Sequence, residues 1–207
     1  MIDPRAQEAS ERGLAAIRAS DWPAAAQAFL EAVQLAPGSV QVWYNLANAR
    51  TRAGDHAGAL PAVLRALRLE SRFPNLQLLA GNIHAELGQY PAAVERYVAA
   101  VEQDPRQIIA SINLAVAFER LSLHEEACEC YEVAIMLGAD RSTALSSMYY
   151  AAQSCGRWDI SADAQARFDQ YVREGGENRA APFQMLTMES TRAMQLEAAR
   201  NYAKRML

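Results

Sequence analysis

The chain has 207 residues, of which 51% are hydrophobic, and a formal net charge of −4, which suits one ordinary domain or one elongated array of small units. The acidic balance argues against a nucleic-acid-binding face, because such a face usually shows a strong basic excess. The first residues do not read as a secretory signal, and no stretch approaches the roughly 18 apolar residues that span a bilayer, so we expect a cytoplasmic protein without membrane contact.

From Ala6 onward the chain repeats itself every 34 residues, in units that begin at Ala6, Val40, Pro74, Ile108 and Ser142. The first four units share a small residue at their eighth position: Gly13, Ala47, Gly81 and Ala115. They share a bulky residue at their 24th position: Phe29, Val63, Tyr97 and Tyr131. A period of this length is typical of stacked supersecondary units.

The spacing of small and bulky residues indicates two antiparallel helices in each unit. Small residues let the two backbones approach, and the bulky residue fills the space that remains between units. Gly54, Gly88 and Gly156 stand where the first helix should end in a left-handed residue. Pro23 and Pro91 stand in the first turn of the second helix, where the missing N–H costs nothing.

This pattern resembles the tetratricopeptide repeat and covers residues 6–173. The resemblance implies an all-α fold, a right-handed α-solenoid of antiparallel helix pairs. The fifth unit departs from the pattern, with Ser161, Gln165 and Phe168 where the others have alanine, a bulky residue and alanine. Its second helix should therefore pack differently, either as a degenerate terminal cap or as a docking unit for the segment after it.

In this family the first helix of each pair lines a concave groove. Four asparagines occupy groove positions: Asn45, Asn48, Asn82 and Asn113. Each amide has donors and an acceptor, so the row could pair with the backbone of an extended peptide; alternatively, the asparagines are ordinary polar residues or bond between repeats. Three arginines form a second row that could attract acidic segments: Arg18, Arg52 and Arg120.

The sequence contains no catalytic constellation, no glycine-rich phosphate loop and no metal-ligand spacing, so we expect neither an enzyme nor a cofactor or metal. His56 and His124 fall at turns and should face water, whereas His84 should lie at the edge of the core. Cys128 and Cys130 are two residues apart on a helix and therefore point in different directions. The odd total of three cysteines indicates a reducing compartment.

Residues 174–207 form a linker and a C-terminal helix that should resume near Ser190. Cys155-Gly-Arg-Trp, followed by Pro182-Phe-Gln-Met-Leu and an arginine-containing helix, resembles the junction between repeats and catalytic region in O-GlcNAc transferase-like and SPINDLY-type glycosyltransferases. Ala181 and Phe183 stand where many members have histidine, so no catalytic residue is transferred. The catalytic region would need several hundred further residues, so this chain should not itself transfer a sugar.

These observations lead to two hypotheses. The chain is a peptide-binding module that forms the repeat region of such a glycosyltransferase, or it is a free-standing adaptor or assembly factor whose C-terminal helix caps the last repeat. In both cases the partner is a protein or an extended peptide. Self-association through the apolar ends of the array is a further expectation.

Overall fold

The computed structural model describes residues 3–73 and 75–174, and all regular secondary structure in those residues is helical. Ten helices follow one another there: α1 Pro4–Arg18, α2 Trp22–Leu35, α3 Val40–Arg52, α4 His56–Leu69, α5 Leu76–Glu86, α6 Tyr90–Gln103, α7 Ile108–Arg120, α8 His124–Met136, α9 Arg141–Ser154 and α10 Trp158–Arg173. Consecutive helices form five pairs, and each pair falls within one of the predicted 34-residue units to within about two residues.

The turn inside each pair has a left-handed residue at its centre. Five residues take this conformation: Ser20 (φ 58°), Gly54 (φ 81°), Gly88 (φ 71°), Ser122 (φ 59°) and Gly156 (φ 74°). This geometry lets the next N–H bond back across the end of the first helix, as Asp55 N–H does to the Arg50 carbonyl at 2.9 Å. The left-handed conformation was predicted for the glycines at three of these turns, and a serine takes the same conformation at the other two.

The described helices group into two compact units, with α1–α6 in residues 1–105 and α7–α10 in residues 106–207. The core of the first unit includes Phe29, Leu46, Val63 and Ile83. The core of the second unit includes Tyr131, Leu145, Met148 and Phe168. Within each unit a helix packs against its own partner and against the next helix along the chain, so neighbouring pairs bury the apolar faces that a single pair would leave exposed.

Two glycines of the first unit each face an aromatic ring of the paired helix. A methyl group on Gly13 would lie 2.7 Å from the Phe29 ring, and one on Gly81 would lie 2.5 Å from the Tyr97 ring. Both distances are shorter than carbon atoms tolerate. The ring therefore leaves no room for a side chain at the glycine, and a ring of this size fits only because the residue opposite it is glycine.

The second helix of the fifth pair buries a different set of side chains. In α8 the bulky residue Tyr131 is fully packed, whereas the equivalent Gln165 of α10 is only half-buried. Phe168, one turn later, is completely buried instead, with Ala164 as the small residue beside it on the same face. The ring has moved by one helical turn, which is how α10 packs without the alanine–aromatic pattern of the other units.

The predicted C-terminal helix and the Pro182-Phe183 segment lie outside the described residues. None of the helices in the described part of the chain has both the length and the apolar character required to cross a membrane.

Candidate peptide-binding surface

The predicted binding residues all lie on the first helices of their pairs. Asn45 and Asn48 are on α3, Asn82 is on α5 and Asn113 is on α7. The arginines are the last residues of three of these helices: Arg18 of α1, Arg52 of α3 and Arg120 of α7. Asn113 and Arg120 belong to the second compact unit and the others belong to the first, so the candidate residues of each unit are described separately.

In the first unit, α3 presents a stripe of carboxamides. Gln41, Asn45 and Asn48 are spaced four and three residues apart and therefore share one face of the helix. The Gln41 side chain donates a hydrogen bond to Asn45 Oδ1 at 2.9 Å. Among the described residues, the Asn45 NH₂ group and the whole Asn48 amide bond to nothing else, although both side chains are half-buried. These groups are available to a ligand.

Asn82, on the neighbouring helix α5, differs from the α3 pair. The Tyr97 hydroxyl donates a hydrogen bond to Asn82 Oδ1 at 2.9 Å, and the Tyr97 side chain is only 2% exposed. The carbonyl oxygen of Asn82 thus satisfies a buried phenol inside the α5–α6 pair. This bond lies within one repeat, so it is neither the bond between repeats that the alternative interpretation named nor a ligand contact, and a ligand contact by Asn82 stays a prediction.

The three arginines stand at the carboxyl ends of their helices, where a cation interacts favourably with the helix dipole. Arg52 lies over the Trp22 ring, with 5.7 Å from its guanidinium carbon to the ring centroid. This cation–π contact joins α3 to the preceding helix α2. Arg18 and Arg120 are exposed, and within residues 3–73 and 75–174 neither forms an ion pair.

In the second unit, the equivalent stripe on α7 is largely apolar. Ile109, Asn113 and Val116 have the same spacing as the α3 carboxamides and also share one helix face. Ile109 is 60% exposed and Val116 is 39% exposed, while Asn113 is half-buried between them. Sequence reasoning selected Asn113 and missed its apolar neighbours. Their repeat positions, which match Gln41 and Asn48, were the available signal.

The same stripe on the first helices α1 and α9 has other side chains. On α1, Gln7 donates a hydrogen bond to Glu11 at 3.1 Å, and the exposed Leu14 lies one turn later on the same face. On α9, the exposed Tyr150 occupies the position of Leu14 and Asn48. The same helix face is thus polar on α3 and mixed or apolar elsewhere.

Cys128, Cys130 and His84 are wholly or partly buried. Burial raises the pKa of both Cys128 and Cys130 to about 11, so these thiols are poor nucleophiles at neutral pH. His84 is buried, with 2.7 Å between its Nδ1 and Gln89 Oε1, as expected for a residue at the edge of the core. In the described part of the chain, no three histidine, cysteine or acidic side chains are grouped as metal ligands.

The expectation that His56 and His124 face water is wrong for one ring nitrogen of each. Both residues begin the second helix of their pair and are half-buried. In both, Nδ1 is enclosed and has no hydrogen-bond partner among the described residues. The two rings therefore do not point fully into solvent.

Comparison with known proteins finds repeats in the part of the chain that forms the helix pairs. A tetratricopeptide repeat family model matches residues 10–74, and a second TPR repeat model matches residues 81–122. The small glutamine-rich tetratricopeptide repeat-containing protein 2 of Mycosarcoma maydis is 30% identical over 118 residues, which is 57% of this chain and 34% of that protein. The chain thus spans about a third of the length of this curated relative.

Solved structures of MamA proteins have a similar fold. One MamA crystal structure aligns with a TM-score of 0.77 at 16% identity, over 84% of this chain and 94% of MamA. MamA 41-end from Desulfovibrio magneticus RS-1 aligns with a TM-score of 0.75 at 17% identity, over 84% of this chain and 96% of that one. At this identity the likeness concerns the fold alone. Residues 10–74 and 81–122 therefore match tetratricopeptide repeats, and the described chain has the all-α fold of antiparallel helix pairs that the resemblance implied.

Proposed function

We propose that the chain is an adaptor that holds an extended segment of a partner protein against the first helices of its repeats. The observation that carries this proposal is the α3 stripe, where Asn45 and Asn48 are half-buried, and the Asn45 NH₂ group and the whole Asn48 amide form no hydrogen bond among the described residues. These donors and acceptors remain available to a ligand, and an extended peptide backbone offers both N–H and C=O groups to an amide.

Each compact unit, taken by itself, offers its own kind of contact to an extended segment. The α3 carboxamides can bond to peptide backbone whatever its side chains are. On α7, the exposed Ile109 and Val116 offer apolar contacts on either side of Asn113. We therefore expect the preferred segments to contain at least one apolar side chain, because burying exposed Ile109 against it would remove apolar surface from water.

The test begins with a random peptide library displayed on phage and selected against the full chain. Selected peptides are then measured against Asn45→Ala/Asn48→Ala. Each lost hydrogen bond costs about 0.5–1.5 kcal/mol, so affinity should fall by roughly 5- to 150-fold. The matched control is Gln27→Ala/Gln34→Ala, which removes two exposed carboxamides from α2 and should leave affinity unchanged. Equal affinity for the asparagine variant and the parent would refute the proposal.

The glycosyltransferase interpretation gains no support from the Mycosarcoma maydis protein or the two MamA structures, none of which is a glycosyltransferase by name. The segment that suggested it, Pro182-Phe-Gln-Met-Leu, lies outside the described residues. The repeat-containing relative favours the adaptor hypothesis instead. Self-association through the ends of the array stays a prediction, which light scattering across a concentration range would test.

A further inference from the structure

A pocket of about 370 Å³ lies in the first compact unit, between α4, the turn after it, α5 and α6. It is lined by Leu64, Leu67, Arg68, Ser71, Gln77 and Arg96. Most of this lining comes from second helices and the turn at the end of α4, whereas the carboxamide stripe lies on the first helix α3. The pocket is thus a separate surface from the one assigned to the extended segment.

Hydrogen bonds hold the wall of this pocket in place. The Ser71 carbonyl accepts a hydrogen bond from Gln77 Nε2 at 3.3 Å and another from Gln103 Nε2 at 2.9 Å. Gln77 is only 6% exposed, and its Oε1 is 3.5 Å from Arg96 Nη1. The turn after α4 is thereby tied to both α5 and α6, so the pocket is formed before any ligand arrives.

Two guanidinium groups line the pocket without a counter-charge. Within the described residues, Arg68 and Arg96 form no ion pair, and the one hydrogen bond of Arg96 is long and goes to a neutral amide. Other arginines of the described chain do pair with carboxylates: Arg12, Arg50, Arg157 and Arg167. A guanidinium matches a carboxylate in geometry as well as in charge.

We propose that this pocket binds an acidic segment of a partner protein, with a carboxylate side chain between Arg68 and Arg96 and an adjacent apolar side chain against Leu64 and Leu67. The positive charge of the two arginines selects an acidic group. The two leucines favour an apolar side chain next to that acidic group. An inorganic anion has no such side chain and would therefore leave the leucines uncovered. The volume suits one or two side chains rather than a whole folded element.

The test uses the full chain and a fluorescein-labelled hexapeptide, Ser-Asp-Leu-Glu-Leu-Ser, in an anisotropy titration. The double variant Arg68→Glu/Arg96→Gln should weaken binding at least about tenfold, because it removes two charge-assisted contacts. The matched control is Arg65→Glu, an exposed arginine of α4 outside the pocket, which should change affinity by less than about twofold. A hexapeptide with Asn and Gln in place of Asp and Glu should bind as weakly as the acidic peptide binds the double variant.

A second measurement does not depend on the folding of any variant. In ¹⁵N–¹H spectra of the unmodified chain, the acidic hexapeptide should shift the amide signals of Ser71, Gln77 and Arg96. Three results would overturn the proposal: shifts confined to the α3 stripe around Asn45 and Asn48, equal binding of the acidic and amide peptides, or an equal loss of affinity in Arg65→Glu.

Discussion

Replacing Gly81 by alanine tests whether a ring sets the distance between helices α5 and α6. Gly81 lies inside α5 and faces Tyr97 of α6, and an added methyl carbon would lie 2.5 Å from the Tyr97 ring. Tyr97 cannot easily move away, because it is 2% exposed and its hydroxyl is bonded to Asn82. The substitution therefore adds volume to a filled space.

Two opposing effects determine the free energy of unfolding of this variant. Alanine is about 1 kcal/mol more favourable than glycine inside a helix. Adding a carbon atom to a filled core typically costs about 1–3 kcal/mol, because rings and backbone must shift. We expect the second effect to exceed the first and Gly81→Ala to be destabilised by up to about 2 kcal/mol.

A compensating substitution is available from the chain itself. The second repeat has Ala47 opposite Val63 where the third has Gly81 opposite Tyr97, and both Ala47 and Val63 are completely buried. Tyr97→Val alone should cost about 2–4 kcal/mol, because it removes a buried ring and leaves a cavity. In the Gly81→Ala background it should cost about 1–2 kcal/mol less, since alanine then fills part of that cavity.

The assay is urea unfolding of the four proteins of this cycle, monitored by far-UV circular dichroism. Ala47→Gly serves as the comparison, because Val63 rather than a ring occupies the matching position of the next helix; it should destabilise the chain by about 2 kcal/mol, of which about 1 kcal/mol is helix propensity and about 1 kcal/mol is the loss of a buried methyl group. Two results together would refute the reasoning. Gly81→Ala would raise the free energy of unfolding by the full ~1 kcal/mol expected from helix propensity, and Tyr97→Val would cost the same with and without Gly81→Ala.

Three further predictions concern the second compact unit. Ser122→Gly should raise the stability by about 0.5–1 kcal/mol, because the left-handed backbone of this exposed serine (φ 59°) costs glycine almost nothing; a lower melting temperature would contradict it. Burial tends to raise the pKa of Asp140, but hydrogen bonds from Thr143 and Ser142 outweigh it and hold that pKa below the ordinary 3.8. The resulting stability is present above pH 3.8 and lost as the pH falls through the lowered value, so an acid titration of Asp140→Asn should lack this loss. Cys128 and Cys130 have pKa values of about 11, so only about a thousandth of each is thiolate at pH 8. Mass spectrometry should therefore find both cysteines unmodified by iodoacetamide in the folded chain and modified once the chain is unfolded.

The sequence predicted the fold because the buried positions recur. Small residues such as Gly13 and Gly81 are opposite rings at a fixed distance along the chain, and the structure places each pair in direct contact. The glycines at the turns were equally informative, since Gly54 and Gly88 both have positive φ. Repetition makes these requirements visible, because the same packing problem is solved several times in one chain.

The sequence did not predict the turns that use serine or the internal role of Asn82. Serine gives no signal for a left-handed conformation, so Ser20 and Ser122 could be recognised only from their repeat position. Asn82 occupies the same repeat position as Asn48, yet only Asn82 has a tyrosine opposite it to bond, because the second repeat has Val63 there. Identical residues in equivalent places thus differ in availability through their neighbours.

The side chains of the exposed stripe differ from one first helix to the next, and these differences indicate which partner groups each helix would favour. Packing constrains the buried positions, whereas the exposed stripe is free to vary, and the proposed function assigns this stripe to partner contact. On α3 it offers amides at Asn45 and Asn48, which favour backbone over side-chain recognition. On α7 it offers Ile109 at 60% exposure, which favours an apolar contact because covering it removes apolar surface from water. Neither stripe matches a fully charged, highly solvated segment, since the α3 stripe favours peptide backbone and the α7 stripe favours apolar side chains.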